Sequence, residues 1–232
     1  MTRDQQEVRA FWEARYGEHD QIWTGAANRT LTDVVTELGI DPRTSQHPPR
    51  ALDLGCGEGA DALWLTEAGW QVTGVDVSAT ALVRAAEAGR SRGVPDAMIT
   101  WQQLDLATDF PQGSYDLIAA SFLASPVHLP RSAVLQRASQ AVALGGVLVI
   151  VSHAAGPRGS HHHDHQHAET PVQRGHDHLD LPSPAEELAM LALDDEQWTV
   201  LLAEVRERSA IGPDGDPTIV GDTVVVVRRR AG

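Results

Sequence analysis

Residues 51–65 read ALDLGCGEGADALWL, a short apolar run that breaks into three glycines within five positions and becomes apolar again at helical spacing. Glycines are placed this densely where backbone must turn tightly and pass very close to something. A strand that turns through glycine into a helix is the ligand-binding unit of open α/β sheets, whose ligands sit beyond the carboxyl ends of the strands.

The rest of the chain keeps this alternation. Strand patterns at 51–54, 71–77, 98–104, 115–121 and 146–152 are interleaved with helical patterns at 60–68, 79–92 and 131–144, and Gly93 and Pro95 end the second helix. Strands separated by helices pair in parallel through right-handed crossovers. Residues 198–206 and 223–228 are β-rich and flank the turn residues GPDGDP, so the chain should close with a hairpin. The expected fold is α/β: a doubly wound, mainly parallel seven-stranded sheet with an antiparallel C-terminal hairpin.

Two helices, 3–16 and 31–38, precede the first strand, and the segment DPRTSQHPP at 41–49 has the composition of a linker. At 232 residues and 42% hydrophobic content, one domain over 1–232 is expected. Its parts are a helical cap at 1–45, a ligand-binding core at 50–152, a His-rich insertion at 156–184 and a C-terminal helix and hairpin at 185–232.

Composition removes several function classes. No stretch approaches the roughly 18 apolar residues of a membrane span, and the start, MTRDQQEVRA, is charged where a signal peptide is apolar, so a cytoplasmic protein is expected. Cys56 is the one cysteine, which rules out an intrachain disulfide. All 18 basic residues are arginines against 32 acids, a net charge of −14 that repels nucleic-acid phosphates and anionic lipid. Neither nucleic acid nor membrane is expected as a partner, and the run Arg228, Arg229, Arg230 reads as a solvated chain end.

The charges around the glycine turn narrow its ligand. Gly55, Gly57 and Ala60 satisfy a relaxed dinucleotide pattern, yet Asp53 precedes the turn, Glu58 lies inside it and Asp61 opens the helix. A carboxylate there opposes a diphosphate by roughly 3 kcal/mol at ~5 Å. A phosphate-free ligand carrying positive charge is favoured, and S-adenosylmethionine, with its sulfonium, ammonium and carboxylate, is such a ligand. Asp76, after the second strand, is placed to accept ribose hydroxyls. Asp105, after the third, is placed to accept from the adenine amino group, with the Leu106 amide beside it. Asp76 also suits a helix cap and Asp105 an Asx turn. Asp53 also suits orienting the turn, and Cys56 a small buried position between glycines.

The ordered segments DLGCGEG, VTGVDVS, LDL, YDLIAASF and LGGVLVI, over roughly 50–152, resemble the motif series of class I S-adenosylmethionine-dependent methyltransferases. FWEARYGEHDQIWTGAANRTL together with DALWLTEAGWQVTGVD is similar to the tellurite-resistance and thiopurine S-methyltransferase-like small-molecule branch. The resemblance implies a Rossmann-like methyltransferase fold, backbone contact at Gly55 and Gly57, ribose at Asp76, adenine at Asp105 and Leu106, and the methionine end near Ser121; Asp53, Cys56 and Val77 are further candidate cofactor-binding positions. In this fold the leading segment tends to cover the cofactor. That makes Trp23 a candidate for the sulfonium, since an aromatic face attracts cations.

Methyl transfer from a sulfonium chiefly requires alignment and exclusion of water. SFLASPVHL, after the fourth strand, lacks the Asp/Asn-Pro-Pro-aromatic signature of enzymes that methylate nucleic-acid amino groups. His128 and His153, at the ends of strands four and five, are the available bases. The expected function is methyl transfer to a small molecule, a thiol or other chalcogen in preference to oxygen or nitrogen. The alternatives are a nicotinamide-dependent oxidoreductase and a metal-binding protein on a methyltransferase scaffold.

The second alternative rests on GSHHHDHQHAETPVQRGHDHLD. Seven of the 11 histidines fall between 161 and 178, and His161, His163, His165, His167, His176 and His178 are candidate ligands for zinc, nickel or copper. Their spacing fixes no tetrahedral set. A solvated loop is one reading of this segment, and a lid ordered by metal or protonation is the other.

Overall fold

A computed structural model of the chain describes residues 3–44, 49–154, 181–211 and 216–231. Helix α1 (Arg3–Gly17) and helix α2 (Arg29–Glu37) lead into β1 (Arg50–Leu54). Then come α3 (Ala60–Glu67), β2 (Gln71–Asp76), α4 (Ala79–Ser91), β3 (Ile99–Gln103), β4 (Tyr115–Ser121), α5 (Arg131–Ala141) and β5 (Val142–His153). Helix α6 (Pro184–Leu191), β6 (Trp198–Ile211) and β7 (Pro217–Arg229) complete the order.

The seven strands form one sheet in the order β3-β2-β1-β4-β5-β7-β6. Strands β1 to β5 are parallel, and β7 runs antiparallel between β5 and β6. Chain direction reverses sides after β1, so the carboxyl ends of β1 and β4 part over a crevice, where such sheets bind ligands. The central strands are buried on both faces, as parallel strands are. Ala51, Leu117 and Val149 pack against α2 and α3, while Leu52, Ile118 and Ile150, pointing the other way, pack against α5 and α6.

Local chemistry fixes the helix ends around this crevice. The Asn28 side chain accepts from Thr30 N and Leu31 N, and Ser78 caps α4 through Ala81 N. The Glu13 carboxylate of α1 accepts from Ala79 N, Thr80 N and the Ser78 hydroxyl, which fastens the first helix to the start of α4. Ser183 and Glu186 form a reciprocal capping box on α6.

Two boundaries differ from the sequence expectation. Helix α5 stops at Ala141 and β5 begins at Val142, four residues ahead of Gly146. Val142 pairs with Tyr115, after which the register shifts so that Leu117 meets Val147. A Cβ on Gly146 would lie 2.9 Å from the Asp116 carbonyl, so the irregularity depends on glycine there. The hairpin strands also extend well past 206 and begin before 223, since the ladder continues to Ile211 and Pro217. Residues 206–210 are mostly charged or polar, which is why hydrophobic pattern alone ends β6 early. Among the described residues, no helix is long and apolar enough to cross a membrane.

Candidate functional site

The turn after β1 is shaped by positive φ at Gly55 (69°) and Gly57 (52°), which side-chain-bearing residues rarely adopt. A Cβ on Gly57 would stand 2.9 Å from the Tyr16 hydroxyl, so this backbone is covered by α1. Cys56 N donates to Val75 O, Gly57 N to Asp76 Oδ2 and Gly59 N to Cys56 O, each at 2.9 Å. A diphosphate draws on free amides at such a turn and at the helix start behind it. The engagement of these three leaves fewer for it, a reason for a phosphate-free ligand that does not depend on Glu58.

Glu58 does not act as the sequence argument supposed. Its carboxylate pairs with Arg84 at 2.9 Å and accepts from Ile22 N and Trp23 N. The same guanidinium donates to the carbonyls of Tyr16 and His19. Glu58 and Arg84 thus clamp the leading segment over the turn, and the arginine offsets the charge that was expected to repel phosphate.

Asp76, buried at the end of β2, accepts from Ser78 N at Oδ1 and from Gly57 N at Oδ2, both at 2.9 Å. Burial raises its pKa to about 6, against the pull of these amides. Ser78 takes the helix cap, so Asp76 braces the turn while still facing the cavity. Asp105 does form the Asx turn, with Oδ1 accepting from Ala107 N at 2.9 Å. A carboxylate has lone pairs for both a brace and a ligand.

One cavity of about 720 Å³ opens above these strand ends. It brings together Asp53, Gly55, Cys56, Gly57, Asp76 and Val77 with Asp105, Leu106, Ser121 and Trp23, and its wall also contains His128 and His153. Burial first, and then the fields of Asp61 and Asp76, push the Asp53 carboxyl well up. Burial likewise raises Asp61. Asp53 Oδ2 accepts no hydrogen bond among the described residues. A buried, unsatisfied carboxylate oxygen against a cavity suits a cationic donor, so the residues present fit the ammonium of S-adenosylmethionine. The Cys56 thiol is pushed well up by burial and by Asp53, which leaves it protonated and unsuited to attack.

Aromatic residues of the leading helix and arginines complete the cavity. Tyr16 is buried and accepts from Trp23 Nε1 at 3.2 Å, tying the indole to α1. Trp12 donates to Ser125 Oγ at 3.2 Å, so it bridges the first helix to the loop after β4 and lines the cavity while anchoring. Of the arginines in the wall, Arg29 pairs with Asp33 and Arg208 with Asp222. Arg15 makes no ion pair among the described residues. In the sequence Arg15 falls at helical spacing with Val8, Phe11 and Trp12 within 3–16, and that spacing is the signal that points to it.

At the other end, His128 is exposed and His153 stacks on Phe122, with ring centroids 4.2 Å apart. Apolar and aromatic groups surround them: Phe11, Trp12, Phe122, Ala124, Pro126 and Leu129. His161, His163, His165, His167, His176 and His178 lie outside the described residues. Among the described residues, no group of three or more His, Cys, Asp or Glu suits a metal ion.

Residues 52–148 match the family model of a methyltransferase domain. Ribosomal RNA small subunit methyltransferase C of Chromohalobacter salexigens is 34% identical over 134 residues, which is 54% of this chain and 37% of that protein. The chain spans at most about half the length of such curated relatives. Among solved structures, a protein of echinomycin biosynthesis that converts a disulfide bond into a thioacetal group superposes with a TM-score of 0.67 at 24% identity, covering 96% of this chain and 93% of that one. N-methyltransferase NodS from Bradyrhizobium japonicum WM9 with bound S-adenosyl-L-homocysteine gives 0.63 at 17%, with 96% and 98% covered. TehB from Haemophilus influenzae gives 0.55 at 18%, with 86% and 62% covered. Sheet order, cavity and family match agree: residues 52–148 match a methyltransferase domain, set in a seven-stranded sheet with the fold of these solved methyltransferases.

Proposed function

We propose that the protein transfers a methyl group from S-adenosylmethionine to a small-molecule thiol or other chalcogen. The observation that carries this reading is the single cavity that joins a carboxylate-lined, amide-braced end to an apolar and aromatic end holding two histidines. In this reading Asp76 accepts from the ribose hydroxyls and Asp105 from the adenine amino group, with the Leu106 amide meeting a ring nitrogen. Gly55, Cys56, Gly57 and Val77 bring backbone against the ligand. Asp53 and Ser121 hold the ammonium end, Arg15 meets the carboxylate, and Trp23 covers the sulfonium.

The bound cofactor supplies an electrophilic methyl group whose transfer discharges a sulfonium. The chain's task is then alignment and exclusion of water. Phe11, Trp12, Phe122 and Leu129 exclude water at the acceptor end, and His128 or His153 takes the acceptor's proton. A mild imidazole base suits a thiol better than an alcohol. The sulfur chemistry of the echinomycin protein points the same way.

A small acceptor is favoured over a nucleic acid by charge and by placement. The net charge is −14. Arg229 and Arg230 donate to the carbonyls of Val142 and Trp198, and Arg228 pairs with Val147, on the amino-terminal side of β5, away from the strand ends that carry the cavity. A screen of thiols, phenols, amines and metalloid oxyanions for transfer of labelled methyl tests the reading. Transfer to thiols or metalloids supports it, and transfer confined to amines, RNA or protein contradicts it.

A further inference from the structure

We propose that Asp222 is a positioning residue for His153: it keeps the imidazole proton on Nδ1, so that Nε2 takes the proton of the methyl acceptor. The inference rests on the methyltransferase reading and adds to it the identity of the base and the group that orients it.

The antiparallel register sets His153 of β5 directly opposite Asp222 of β7. Asp222 is fully buried. Its Oδ2 accepts from the Thr30 hydroxyl and from Arg208 Nε, both at 2.7 Å. Its Oδ1 accepts no hydrogen bond among the described residues and lies 4.0 Å from His153 Nδ1. That oxygen has been taken out of water without a donor, a cost that a protonated Nδ1 relieves. A distance of this size is usual before substrate tightens a site.

The ring is held on a second side. Phe122 lies against it at an interplanar angle of 17°, and Phe122 itself sits at φ 51°, a left-handed conformation uncommon for a bulky residue. Phe122 N donates to Val151 O at 2.7 Å, which fixes this turn beside the end of β5. A strained residue persists where its surroundings over-determine it, and here the strain presents an aromatic face to the imidazole.

Among the described residues, the charged groups around His153 belong to four elements. Asp222 belongs to β7 and Arg208 to β6, with the Arg208 guanidinium 5.7 Å over the Phe122 ring. On the far side, Arg131 of α5 is paired with the buried Glu187 of α6 and donates to Ser152. Both arginines are matched by carboxylates, and among the described residues Asp222 turns an oxygen toward the imidazole. A carboxylate behind Nδ1 selects the tautomer and stabilises the imidazolium. In the transfer step the lone pair of the acceptor forms the bond to the methyl carbon. The bond from that carbon to the sulfonium breaks, with its electron pair left on sulfur as a thioether. The acceptor's proton moves to His153 Nε2 and later leaves to solvent.

Nitrogen-15 NMR of the histidine rings in the full chain tests this without knowledge of the acceptor, with His153→Gln used to assign the signal. The expected result is a neutral His153 protonated at Nδ1, with a titration midpoint about one pH unit higher than in Asp222→Asn, a tenfold difference in proton affinity. Thr30→Val, which removes another bond to the same carboxylate, should keep the Nδ1–H tautomer. A wild-type ring protonated at Nε2 overturns the proposal even if Asp222→Asn does not fold, and so does an unchanged midpoint in a folded Asp222→Asn. Calorimetry with S-adenosylhomocysteine on the wild type separates the two readings: absence of binding there would overturn the methyltransferase assignment, whatever the tautomer.

Discussion

The two ends of the cavity are built in opposite ways. At the cofactor end, Asp53, Gly55, Cys56, Gly57 and Asp76 lie within 24 positions of one another on two adjacent strands, and the turn is braced by its own backbone and by Asp76. At the acceptor end, Thr30, Phe122, His153, Arg208 and Asp222 come from five separate elements or loops and meet only because β7 inserts between β5 and β6. The first is a local device that any sequence with this spacing can carry. The second exists only in the assembled sheet. Under the proposed function, cofactor recognition and choice of acceptor are thereby separated within one cavity.

This contrast can be broken most severely by Asp76→Ala. In the proposed reading the substitution removes the ribose acceptor, and it strands the Gly57 and Ser78 amides, each lost buried partner being worth about 1–3 kcal/mol. Affinity for S-adenosylhomocysteine should fall by about a hundredfold or more in calorimetry. His153→Gln should do the reverse: turnover with the best acceptor from the labelled-methyl screen falls by about a hundredfold, with cofactor affinity unchanged. If both variants change both quantities, the two ends are not separate. His128→Ala, beside His153→Gln, assigns the base, since only the histidine in contact with the acceptor should reduce turnover.

A smaller effect comes from pH. The Asp76 carboxyl has a folded pKa of about 6, above its usual 3.8. Above pH 6 it is ionised and accepts from hydroxyls; below it the proton removes an acceptor. Cofactor affinity should therefore drop by about tenfold from pH 7 to pH 5, and this step should vanish in Asp76→Asn. Stability runs the other way for this group. With its folded value raised, the folded state binds the extra proton between about pH 6 and pH 4, so the contribution of Asp76 to stability is greatest at low pH and is lost as pH rises through 6. Thermal melts of the ligand-free wild type and Asp76→Asn across this window check the sign. Smaller again, Arg84→Ala should loosen the segment held through Glu58 and weaken cofactor binding by less than about tenfold, because the pair is only partly buried.

The same division decided what could be read in the sequence. The alternation of strands and helices is carried by hydrophobic period, and the parallel sheet follows from it. The residues around Gly55 and Asp76 are close in sequence and share one chemistry, so they were legible as a set. Glu58 was misread because its partner, Arg84, lies 26 positions away on helix α4. Asp222 and Arg208 carried no signal, because the polar run at 206–210 masks the length of β6 and no local pattern ties residue 222 to residue 153. Arg15 was visible only as a polar position on an otherwise apolar helix face.

The central claim is that the braced glycine turn holds a phosphate-free cationic nucleoside. Calorimetric titration of the full chain with S-adenosylhomocysteine and, separately, NADH tests it most directly. Saturable binding of S-adenosylhomocysteine at one site per chain, with no response to NADH, is the predicted result; NADH binding that S-adenosylhomocysteine cannot displace would contradict it.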